Sequence, residues 1–158
     1  MDGSGPEHTR IVADADVLAA DLLVGGPARA ALDRVREHSW LDLVATDELL
    51  ADAEAVVAAL ADEALAGDWR ASAAERAVVV EQPPGDHPAL AAAYRGNAAH
   101  LLSLDGRLRS AEAGANLRGV MDVSVRSPDA FVTVFDPAAV HELAFEEPYP
   151  GPDCDPRD

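Results

Sequence analysis

The stretch Gly85–Arg109, GDHPALAAAYRGNAAHLLSLDGRLR, decides the fold. It opens on an acid, Asp86. Pro88–Arg95 is alanine-rich, begins on a proline that suits the first helical position, and is halted by Gly96-Asn97, so it reads as a helix. His100-Leu-Leu-Ser103 reads as a short buried strand, and Asp105 follows its end. Ligands of open α/β sheets gather at the carboxyl ends of strands, so Asp86 and Asp105 are placed to converge as half of a cation pocket.

The same alternation continues outward in both directions. Arg10–Ala13 predicts a first strand ending at Asp14-Ala-Asp16. Val17–Leu23 has helical spacing and stops at Gly25-Gly26, and Pro27 starts a second helix. Leu41–Ala45 predicts a second strand. Thr46 then caps a long helix carrying Leu49, Leu50, Ala53, Val56, Val57 and Leu60. Gly67-Asp68 is expected to break that run, with Trp69–Arg76 as a further helical piece. Val78–Val80 is β-prone and leads into the turn Gln82–Gly85. After Asp105 the pattern predicts a short helix through Leu108, a strand over Val120–Val125, a helix capped by Ser127 with Pro128 at its start, and one or two helical turns beyond Pro137. Strands alternating with helices predict an α/β fold: a three-layer α/β/α domain with a mainly parallel central sheet of four or five strands. The domain is expected over residues 10–145, between a loose lead-in (1–9) and a disordered, acidic and proline-rich tail (146–158).

Composition bounds the function classes. The chain has 158 residues, 29 Asp+Glu against 12 Lys+Arg and a formal charge of −17, and every basic residue is an arginine. Such acidity predicts a protein from a salt-loving organism, where surface carboxylates hold hydration and screening weakens their repulsion. Its one cysteine, Cys154, excludes an internal disulfide and argues against a zinc site. No leader-like amino end and no apolar run of membrane-spanning length is visible, so a soluble cytoplasmic protein is expected.

Four acids fall where an α/β pocket would want them: Asp14 after the first strand, Asp52 on the helix after the second, Asp86 before a helix and Asp105 after a later strand. Clustered carboxylates repel one another and raise their own proton affinity unless a cation relieves them, and hard cations such as Mg²⁺ or Mn²⁺ take oxygen ligands. Three of these acids also have a plain reading, Asp86 and Asp105 as helix caps and Asp52 as one solvated charge among many, whereas Asp14 beside a buried strand costs free energy unless paired. Asp16 is either a cap or a supporting acid. The five histidines show no ligand spacing and receive no role.

In order and spacing these residues resemble the PIN domain family of nucleases. The match runs through a strand into Asp14-Ala-Asp16-Val-Leu, a strand into Thr46 with an acid six positions on, Asp86-His-Pro-Ala-Leu-Ala-Ala-Ala, Leu-Leu-Ser-Leu-Asp105, and the late Val125-Arg-Ser-Pro-Asp-Ala-Phe131. It spans about Ile11 to Phe135. Ala15 and Asp16 depart from the family's usual polar residue and Asn, Asp52 stands where Glu is commoner, and Arg107 occupies a place often acidic. The resemblance implies a Mg²⁺- or Mn²⁺-dependent endoribonuclease with Asp14, Asp52, Asp86 and Asp105 catalytic, and Asp14, Asp86 and Asp105 on the metal. Asp16 and Ser103 would support them, while Arg95, Arg107 and Arg109 would steer phosphate. It implies RNA as substrate and, in a toxin, an antitoxin protein as partner; a homodimer is compatible and a membrane partner is not expected. Two other readings stand beside it. One is a PIN-like module without activity that serves as a binding scaffold. The other is a phosphatase of the haloacid-dehalogenase type, whose first motif Val12-Ala-Asp14-Ala-Asp16 also resembles, although that chemistry usually uses a lysine and this chain has none.

Overall fold

The computed structural model describes residues 7–82, 87–106 and 123–156. Five strands form one sheet: β1 (Glu7–Ala13), β2 (Asp42–Thr46), β3 (Val78–Val80), β4 (Ala98–Leu102) and β5 (Ser124–Arg126). Their spatial order is β3-β2-β1-β4-β5, and every neighbouring pair runs parallel. Seven helices accompany them among the described residues: α1 (Ala15–Leu23), α2 (Gly26–Arg36), α3 (Asp47–Leu60), α4 (Glu63–Arg76), α5 (Pro88–Arg95), α6 (Pro128–Val134) and α7 (Pro137–Phe145). The architecture is α/β with three layers, as the alternation predicts.

The central strands show why a parallel sheet forms. β4 reads AAHLL and all five residues are buried, which suits a strand covered on both faces. Ile11, Val12 and Ala13 of β1 are equally inaccessible, and Val44 and Ala45 extend the same core through β2. Burying a leucine or isoleucine contributes roughly 1.5–3 kcal/mol, so this seam dominates the fold's stability. α5 packs across β2, β1 and β4, and it can do so because its inner face is Ala89, Ala91, Ala92 and Ala93. Its C-cap, Gly96, comes so close to β2 that an added Cβ would sit 2.4 Å from Val44 Cγ1. A side chain at position 96 would force the helix off the sheet.

Four boundaries differ from expectation. β1 starts at Glu7, inside the expected lead-in, because Glu7 N–H donates to Asn97 O across a 2.8 Å bond. The long helix breaks at Ala61-Asp62 rather than at Gly67: the Asp62 side chain caps α4 by accepting from Leu65 N at 2.7 Å, and Gly67 lies inside α4. A capping bond worth about 1 kcal/mol sets the boundary, and an interior glycine costs a similar amount without ending the helix. α7 runs nine residues where one or two turns were expected. The stretch from Glu146, expected to be loose, is tied to the α2–β2 loop. Tyr149 Oη meets His38 Nε2 at 2.6 Å, Asp153 accepts from Ser39 N at 2.8 Å and from Ser39 Oγ, and the Asp153 and Cys154 amides both donate to Glu37 O. The expected short helix through Leu108 and the first half of the expected strand Val120–Val125 lie outside the described residues; of the remainder, Ser124 and Val125 belong to β5, which ends at Arg126.

Candidate functional site

The carboxyl ends of β1 and β4 lie side by side, since Ala13 pairs with Leu102 and Asp14 N–H donates to Leu102 O at 2.8 Å. Asp14 and Asp105 therefore sit at the same edge of the sheet. Asp14 is buried. One carboxylate oxygen caps α1 by accepting from Ala15 N at 2.8 Å, and the other accepts from Ser103 Oγ at 3.0 Å. Ser103 Oγ in turn accepts from the Asp105 amide at 3.0 Å, and Ser103 N–H donates to Arg126 O at the end of β5. Ser103 thus orients Asp14 and fixes the turn carrying Asp105.

Asp16, in the first turn of α1, faces the same corner. Its Oδ2 accepts from Leu104 N at 3.2 Å, while Oδ1 is enclosed without a hydrogen-bond partner. Burial raises the proton affinity of this carboxyl first, and the charges of Asp14 and Asp105 raise it further. Three carboxylates converge at one strand edge, and the enclosed Asp16 Oδ1 is an orphan acceptor that a cation would satisfy. Each Asp14 oxygen keeps a lone pair for a cation. These donors fit a hard divalent ion held by few carboxylates and several waters. Among the described residues, no group of three His, Cys, Asp or Glu side chains is placed to hold one ion jointly.

The other expected site residues divide. Asp52 is exposed on α3 and is not among the charges acting on Asp16. Asp86, Arg107 and Arg109 lie outside the described residues. The cap of α5 is His87, whose Nδ1 accepts from Ala89 N at 3.1 Å, so a histidine fills the place proposed for Asp86 as a cap. Arg95 ends α5 just before β4 begins and therefore stands at the sheet edge opposite the acidic corner; it is exposed and cannot steer a phosphate there. The arginine the sequence reading passed over is Arg126, which ends β5 beside Ser103. It lies within the late Val125–Phe131 motif, and the β4–β5 pairing sets its backbone beside Ser103 while its charge acts on His100.

A cavity of about 850 Å³ lies elsewhere, between α1, β2 and α4, and none of the corner residues lines it. No helix among the described residues is long and apolar enough to cross a membrane.

An open, parallel α/β sheet with an acidic corner at its carboxyl edge defines the class. Within it, the chain belongs to a family of unknown function, DUF7384, which matches residues 5–157. No curated protein and no solved structure matches the chain.

Proposed function

We propose that the acidic corner is a Mg²⁺ or Mn²⁺ site and that the protein is a metal-dependent endoribonuclease of the PIN type. The observation that carries this reading is the convergence of Asp14, Asp16 and Asp105 at the β1/β4 edge, with one oxygen of Asp16 enclosed and unpartnered. The order of motifs described above supplies the reaction class. Asp14 and Asp105 would hold the ion, with Asp86 as the third ligand the resemblance implies. When bound, the ion would activate water and stabilise charge developing on the phosphodiester. The chain's own part is to orient Asp14 through the hydrogen bond that Ser103 Oγ donates to it. A −17 chain repels a polyanion in dilute buffer, so cleavage is expected in concentrated salt. If the protein is a toxin, its partner is an antitoxin protein.

A scaffold without activity is the second reading. It is favoured by the exposed, isolated position of Asp52 and by the lack of a joint three-ligand group among the described residues.

The test combines cleavage with metal-dependent stability. In molar KCl with Mn²⁺, the native chain should cut single-stranded RNA and Asp14→Asn should not. Mg²⁺ or Mn²⁺ should raise Tm at constant ionic strength by binding the folded state. Asp16 is more costly to ionise in the fold than in the unfolded chain, so its destabilising contribution grows as pH rises above about 3.8. Asp16→Asn should therefore raise Tm at neutral pH without metal and lose part of the metal-induced rise. Asp86→Asn should lose most of that rise, while costing little without metal because His87 is the cap. A native metal response without cleavage supports the scaffold; no metal response at all removes the site.

A further inference from the structure

We propose that the cavity between α4 and the α1–β2 face is a binding site for a small amphiphile with an apolar body and a cationic, ammonium-type head. It is separate from the acidic corner and does not rest on the ribonuclease reading.

The cavity has a specific cause in the sequence. α4 buries only Ala66, yet Leu65, Trp69 and Ala73 recur every four residues and form one stripe facing the cavity. Opposite them stand Leu18 and Leu22 of α1 and Leu43 of β2. These residues line a cavity of about 850 Å³, within the roughly 300–1,000 Å³ range of small-molecule sites. Water in such a slot finds few polar partners, so an apolar occupant displaces it favourably.

Charge selects the head group. The lining carries four carboxylates, Asp21, Asp68, Asp153 and Asp155, against two guanidiniums, Arg36 and Arg76. Arg36 is already committed: its two terminal nitrogens grip Asp21 at 2.8 Å each, and it also meets Asp33 at 2.7 Å. Asp153 is held by hydrogen bonds from Ser39 that favour its ionised form. Asp68 is exposed and has no hydrogen-bond or ion-pair partner among the described residues; the same holds for Arg76, so with Arg36 taken by Asp21 three lining carboxylates stand against one guanidinium. A carboxylate on the lining of an apolar slot suits an alkylammonium, whose charge it meets while the tail lies on the apolar residues. An anionic head would meet the net negative lining of a −17 chain.

The experiment titrates the full chain calorimetrically with decyltrimethylammonium, decanol and decanoate, each below its aggregation limit, in dilute buffer and in molar KCl. In dilute buffer the ammonium should bind with one-to-one saturation, roughly tenfold more tightly than decanol, with decanoate weakest; the gap should narrow in molar salt. Ala73→Phe fills the slot and should abolish binding of all three. Asp68→Arg, a surface change, should weaken the ammonium at least several-fold and leave decanol unchanged. The proposal fails if no probe saturates, if Ala73→Phe, folded by circular dichroism, binds as the native chain does, or if Asp68→Arg binds all three probes as the native chain does. Tighter binding of decanoate than of the ammonium would overturn the assignment of the head group.

Discussion

His100 shows what a single residue decides and what its sequence context conceals. In the run Ala98–Leu102 it reads as one more strand position, and no ligand spacing marks it. In the structure it is 9% exposed, both ring nitrogens lack a partner, and the rings of His8, Phe131 and Phe135 surround it at 5.5–5.7 Å. Burial first, then the charges of His8 and Arg126, lowers its pKa from 6.5 to about 4. The fold therefore takes up the proton less readily than the unfolded chain. Its contribution is fully favourable above about pH 6.5, declines as pH falls towards 4, and is constant below that. The decline is worth about 3 kcal/mol. His100→Leu should abolish it: relative to the native chain, the variant should gain stability between pH 7 and pH 4.5 in urea melts. A stability difference independent of pH would mean that His100 has a partner in solution. Asp16 makes the complementary point. Its place after β1 was legible, but its choice between cap and supporting acid was not, because Asp14 took the cap and left Asp16 facing Leu104.

At the scale of elements, helices with strong local signals were read correctly and segments tied by tertiary contacts were not. Pro88 and Gly96 bound α5 where expected, because both residues act on their own backbone. The segment after Glu146 lacks periodicity, and its order comes from partners more than a hundred positions away. His38 is buried with Nδ1 at 2.6 Å from Arg34 O and Nε2 at 2.6 Å from Tyr149 Oη, while Trp40 packs edge-on against His38, His141, Phe145 and Tyr149. A proline-rich composition cannot announce such a docking. Tyr149→Phe keeps the ring and leaves a buried histidine nitrogen unpaired, which should cost about 1–2 kcal/mol. Asp153→Ala removes the bonds to Ser39 at an exposed place and should cost less. Both are measured by denaturant melts and by proteolysis after Phe145; a segment cut equally fast in the native chain and in Tyr149→Phe would mean that it is not held by this bond.

For the whole molecule, the alternation of strands and helices was enough to predict the parallel sheet and to bring Asp14 and Asp105 to one edge. Whether the corner is complete was not legible, since that depends on side-chain directions. Charge acts at this scale too. Among the described residues, ion pairs join Arg10 to Glu7 and Asp42, Arg36 to Asp21 and Asp33, and Arg70 to Glu54, and 12 arginines can neutralise only part of the 29 acids. The remainder repel one another across the surface of the folded chain more than in an expanded one. At molar ionic strength the Debye length is about 3 Å, shorter than most separations between surface carboxylates, so that repulsion largely disappears. Tm should rise between dilute buffer and molar KCl; relief of about 2–3 kcal/mol would correspond to roughly 5–10 °C for a chain of this size. The rise should shrink near pH 4, where the exposed carboxylates begin to protonate and salt has less charge to screen. A rise unchanged at that pH would point to a solvation effect of salt on apolar surface. A Tm indifferent to KCl at neutral pH would mean that the acids lie too far apart to matter and that the −17 charge reflects composition without a stability cost.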